Sequence, residues 1–132
     1  MRLAIPAWEG RVSPVFDVAR EVRIFDLNTD RREVSADHRH GLPRDGAVAT
    51  LADLDVDLLV CSAISPPLEA MLWMAGIEVV ADVCGELSEI VREVATGDTE
   101  LARFRVPGSQ GRVRQQAGGG SRPGRGSSSQ TT

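Results

Sequence analysis

Apolar residues come in short runs, and the spacing within the runs changes along the chain. Residues 2–6 form a brief apolar stretch that predicts a strand. Residues 8–13 then read as a loop, with Gly10 inside it and Pro14 after it, and 15–19 as one short turn. Residues 21–27 place Val22, Ile24, Phe25 and Leu27 close to the two-residue period of a strand. Asn28-Thr29-Asp30 predicts a hairpin turn, and 31–37 a returning strand, short and polar as sheet edges often are.

Past a break at 43–46 the period lengthens. Ala47, Leu51 and Leu54 share one face of a helix over 47–54. Residues 57–61 read Asp-Leu-Leu-Val-Cys, apolar without a break after Asp57, which suits a strand covered on both faces. Ser65 stands where a helix cap belongs and Pro66 at the first helical position, so a helix runs to Ala75 and stops at Gly76. Residues 77–81 give another apolar strand. Residues 87–96 gather Leu87, Ile90, Val91 and Val94 on one side of a helix that Gly97 closes. The order β-β-β-α-β-α-β-α predicts an α/β domain: a mixed five-stranded sheet with helices on its faces. Its 57–81 segment is a right-handed βαβ unit.

The pattern ends near residue 106. Residues 107–132 hold seven Gly, five Ser and almost nothing apolar, so ordering them has no burial to offset its entropy. The expectation is one domain over 1–106 and a disordered C-terminal tail over 107–132. Charge divides at the same point. The tail carries four Arg and no acid, whereas residues 1–106 hold 11 Arg against 19 Asp and Glu, a net −8 inside a whole-chain −4. An acidic body argues against a nucleic-acid surface. All 15 basic residues are Arg, and without lysine there is neither Schiff-base chemistry nor a phosphate-binding P-loop. No apolar run reaches the roughly 18 residues that span a bilayer, and the first residues lack a signal-peptide core, so the expected compartment is the cytoplasm.

Ligands of open sheets sit beyond the carboxyl ends of parallel strands. Three loops qualify, one following each of the apolar strands at 2–6, 57–61 and 77–81. They carry Trp8 and Ser13, then Cys61 and Ser65, then Cys84. Two thiolates at one rim would hold a soft metal or an iron–sulfur species; as packing, free Cys behaves as a small buried hydrophobe. His38 and His40 flank Arg39 in what reads as an exposed loop, either as metal ligands or as solvated side chains. The helix opening at Ser65 presents backbone N–H groups to an anion, or simply to its own cap. Met71 and Met74 read as core and helix surface and not as a thioether site. No acid lies on the first strand where a metal-dependent nuclease would need one. No hydrolase, dinucleotide or zinc-protease motif occurs. The chain is not expected to be an enzyme.

Several stretches resemble the dinitrogenase iron-molybdenum cofactor biosynthesis family: Ile5-Pro6-Ala7 leading into Ser13-Pro14-Val15-Phe16-Asp17, then Cys61-Ser62-Ala63-Ile64-Ser65, Ala75-Gly76-Ile77 and Val83-Cys84-Gly85. The resemblance covers about residues 1–108. It implies a three-layer α/β/α fold with a ribonuclease-H-like motif and no nuclease activity. It also implies binding or carrying of an iron–sulfur or iron–molybdenum cofactor precursor, received from or handed to a cofactor-donor or acceptor protein. Relatives often continue past this point with Cys-Cys-Gly, where this chain has Ser109-Gln110-Gly111, so two potential thiolate ligands are absent. The leading expectation is a non-catalytic cluster carrier. Cys61 and Cys84 are its thiolates, Trp8, Ser13 and Ser65 surround the cargo, and His38 and His40 are further candidate metal ligands. The alternative is a small interaction or regulatory module that has lost metal binding.

Overall fold

The computed structural model describes residues 1–106, so the predicted tail over 107–132 lies outside the described residues. Five strands build the main sheet: β1 (Arg2–Trp8), β3 (Glu21–Asn28), β4 (Glu33–Gly41), β5 (Leu58–Val60) and β6 (Glu78–Val80). Their order is β4-β3-β1-β5-β6, and a two-residue β2 (Arg11–Val12) pairs with β1 off this path. β3 runs antiparallel to β1 and β4, whereas β5 and β6 run parallel to β1. The carboxyl ends of β1, β4, β5 and β6 therefore point to one rim. This is the mixed α/β sheet expected for a ribonuclease-H-like fold.

Alternation along the strands sorts the core into two layers. Leu3 and Ile5 of β1, Leu58 and Val60 of β5 and Val80 of β6 face the helix α3 (Leu87–Ala95). That helix buries Leu87, Ile90, Val91 and Val94. Ala4, Leu59, Cys61 and Val79 face the other way, toward α1 (Ala47–Asp53) and α2 (Pro66–Met74), which contribute Leu51 and Leu72. Helices on both faces make the three layers. A 3-10 turn at Ala102–Phe104, which the pattern of residues did not announce, adds Leu101 and Phe104 to the α3 layer.

Several elements depart from the sequence reading. The loop expected over 8–13 is a hairpin: Trp8 pairs with Arg11 across Glu9 and Gly10, whose φ values of 53° and 78° are those of a type I′ turn. The second hairpin turns later than Asn28-Thr29-Asp30. Glu33 pairs with Asn28, and β4 then continues to Gly41. His38 and His40 thus belong to an edge strand and not to a loop, because ladder bonds to β3 hold a segment whose sequence has no apolar period.

The amino end of β1 is tied down by charge. The Arg2 guanidinium donates to Asp26 at 2.7 Å and to the Leu54 carbonyl at 2.7 Å, and the Arg2 backbone N–H donates to Asp57 at 2.8 Å. The Arg2 hydrogen bond holds the Asp26 carboxyl below its ordinary range, more than desolvation raises it.

Candidate functional site

The rim at the carboxyl ends of the parallel strands is made of three segments stitched by backbone bonds. The β1–β2 hairpin is fastened to the loop after β6: Val12 donates to the Gly85 carbonyl at 3.1 Å, and Leu87 to the Gly10 carbonyl at 3.0 Å. The loop after β5 pairs with the same β6 loop, since Asp82 donates to the Ser62 carbonyl and Val83 to the Cys61 carbonyl. The end of the described chain closes the other side. Cys84 donates to the Phe104 carbonyl at 2.9 Å and Val106 to the Asp82 carbonyl at 2.7 Å. Gly85 sits at φ 134°, and a Cβ there would stand 3.4 Å from the Phe104 ring. Glu9 and Asp82 also hold positive φ values at this rim, 53° and 64°. Backbone in sparsely populated regions tends to gather at functional sites.

The two cysteines lie in adjoining loops and part company at their side chains. Cys84 is exposed; Cys61 is 0% exposed and packs in the layer with Ala4, Leu59 and Ile64. The expectation of two solvent-reachable thiols is corrected for Cys61. β5 is covered on both faces, and period-two alternation sends Cys61 the same way as Leu59, beneath α1 and α2.

Trp8 projects into solvent with 60% of its surface open. Ser13 is buried, and its backbone N–H donates to the Pro6 carbonyl at 2.8 Å. Ser65 stands at the helix cap position but makes no side-chain cap bond. Its own N–H donates to Asp17 Oδ1 at 3.0 Å. A carboxylate from the 3-10 turn Phe16–Val18 already fills the place at the start of α2 where an anion was expected.

His38 is exposed and His40 half-buried, and both lie toward the carboxyl end of β4, on the opposite edge of the sheet from β6. β4 and β6 are opposite edges, four strand spacings apart, which at about 4.8 Å each is roughly 19 Å. The structure therefore does not bring the histidines to the cysteines. Among the described residues no three His, Cys, Asp or Glu converge to hold a metal ion, and no helix is long and apolar enough to cross a membrane.

Asp17 escaped sequence reasoning because its partner lies 48 residues away. A signal existed: Asp17 ends the Ser13-Pro14-Val15-Phe16-Asp17 block, whose backbone bonds to Ala63 (Phe16 N–H to its carbonyl, 2.8 Å) bring it to α2.

A family model described as dinitrogenase iron-molybdenum cofactor matches residues 1–97. Among solved structures, the protein PH0822 superposes with a TM-score of 0.71 at 20% identity, covering 85% of this chain and 100% of that one. MJ0327 from Methanocaldococcus jannaschii, provisionally described as a dinitrogenase, superposes at 0.60 with 15% identity over 74% of this chain and 89% of its own. TM1290 from Thermotoga, provisionally described as a NifB protein, gives 0.55 with 23% identity over 73% and 88%. These likenesses establish the shared fold. No curated protein matches the sequence with significance.

Proposed function

The chain belongs to the dinitrogenase iron-molybdenum cofactor family, and on that premise we propose that it is a non-catalytic carrier. Its cargo is an iron–sulfur or iron–molybdenum cofactor precursor, held on Cys84 and passed from a donor protein to an acceptor. The observation that carries this reading is the exposed thiol of Cys84 on a loop that three backbone segments hold in place. Thiolate is the side chain suited to iron and its sulfides. A resident metal site asks for three or four protein ligands. A single solvent-facing thiolate suits a cluster that must leave again. Trp8, exposed on the neighbouring hairpin, offers an apolar face beside the cargo. Cys61 takes no part, because ligation would require it to leave the core.

The test is anaerobic reconstitution of the full chain with iron and sulfide. Wild type and Cys61→Ala should develop thiolate-to-iron charge-transfer absorption, and Cys84→Ser should not. Equal iron uptake by wild type and Cys84→Ser would overturn the proposal.

A second reading, an interaction module that holds no metal, is favoured by the burial of Cys61 and by the exposure of Met71 and Met74 on α2. Wild-type protein that takes up no iron in the same experiment would support it.

A further inference from the structure

The histidines, on the opposite edge of the sheet from Cys84, form a site of their own. We propose that His38 and His40 are the two protein ligands of a borderline divalent cation, with copper(II) the tightest-bound, on the outer strand of the sheet. The pairing register fixes their placement. His38 stands opposite Ile24 and His40 opposite Val22, so both project from β4 on the α1/α2 side of the sheet. Their ring centroids are 5.3 Å apart and their planes cross at 70°.

That separation lies within reach of chelation. With metal–nitrogen bonds of about 2.0–2.1 Å, each centroid stands about 3.2–3.3 Å from the ion, so two coordinated rings lie about 4.6 Å apart at a right angle and about 5.3 Å apart at a tetrahedral one. The rings thus stand at the tetrahedral separation and must approach by about 0.7 Å to sit at the right angle of tetragonal copper(II). Rotation about χ2, a soft torsion, selects the nitrogens that converge. The neighbours on this face are Val22, Ile24 and Ala36, none of which competes with a side-chain donor. Asp26 lies diagonally beyond His38, which helps hold its carboxyl below the ordinary range, but Arg2 engages both of its oxygens, at 2.7 and 3.3 Å. Water completes the coordination.

Imidazole suits copper, nickel and zinc, and affinity rises to copper along the divalent series. The absence of thiolate from this edge separates the site chemically from Cys84: one edge of the sheet offers sulfur, the other nitrogen. This inference does not depend on the carrier reading.

These are the only two histidines in the sequence, which makes the experiment selective. The full chain carrying Cys84→Ser, which removes the exposed thiol as a competing ligand, is titrated with copper(II). Electron spin-echo envelope modulation counts the coordinated imidazoles through their remote ring nitrogens. The expected result is one ion bound by two imidazoles. His38→Asn and His40→Asn should each leave a one-imidazole signal and weaken binding about tenfold or more, because the second ligand acts at a high effective concentration. Circular dichroism confirms that each variant is folded. A parent chain showing one imidazole or none overturns the proposal, as does a single variant that binds copper as tightly as its parent. The first result would make the ring contact an aromatic pair and nothing more.

Discussion

Replacing Asp17 dissects how the rim is attached to the helix layer. The Asp17 carboxylate accepts from the Ser65 N–H at 3.0 Å at the start of α2, a nine-residue helix with no side-chain cap from Ser65 itself. Two effects are superposed there. One is a hydrogen bond to an otherwise orphaned donor, in the range of an N-cap, about 0.5–2 kcal/mol. The other is a negative charge near the positive end of the helix, about 0.3–1 kcal/mol and screened by salt. Asp17→Ala removes both and should cost about 1–2 kcal/mol, whereas Asp17→Asn keeps an acceptor and should cost about 0.3–1 kcal/mol. With a urea slope near 1.5 kcal/mol/M, the alanine variant's midpoint should fall by roughly 1 M and the asparagine variant's by less than half as much. Raising ionic strength should shrink the difference between wild type and Asp17→Asn and leave most of the alanine deficit in place. Urea melts of the three proteins at two salt concentrations decide it. An alanine variant as stable as wild type, or an asparagine variant as damaged as alanine, would show that the Asp17–Ser65 bond does not fasten the loop to α2.

Two further outcomes follow from the packing and the charges. Ile90 of α3 is fully buried in the larger core layer, so Ile90→Ala should lower stability by about 2–5 kcal/mol, whereas Met74→Ala, at an 86% exposed position, should stay within about 0.5 kcal/mol; thermal melts of both variants check the contrast. Asp26 ionises more readily in the folded protein than its ordinary 3.8, chiefly through the Arg2 hydrogen bond. The unfolded chain therefore binds the proton first on acidification. The stabilisation is complete well above 3.8 and is lost as pH falls through the lower folded value. Asp26→Asn should lower the urea midpoint at neutral pH and flatten its decline below about pH 4, and an unchanged acid limb would refute the assignment.

The parts of the fold that bury apolar surface were legible in the sequence. Leu87, Ile90, Val91 and Val94 announced α3, and the run at 57–61 announced a strand covered on both faces. That same run concealed a consequence: its last residue inherits the alternation, so Cys61 follows Leu59 inward and cannot reach solvent. The β4 strand was harder to delimit because Asp37, His38, Arg39 and His40 are all polar. An edge strand with one open face needs no hydrophobic period, and its register comes from β3. The Asp17–Ser65 bond spans 48 residues, and no local pattern encodes a contact of that range. Cys84 follows a parallel strand, and that place alone made it a candidate, since ligands of open sheets gather at such ends.

The exit of the chain from its folded body has its own significance. Arg105 bridges to Val83, and Val106 is bonded to the residue two before Cys84. Whatever follows residue 106 therefore departs from the doorstep of the exposed thiol. Arg112 and Arg114 come six and eight positions later in the sequence. The acidic body and its cationic extension meet where the sulfur is.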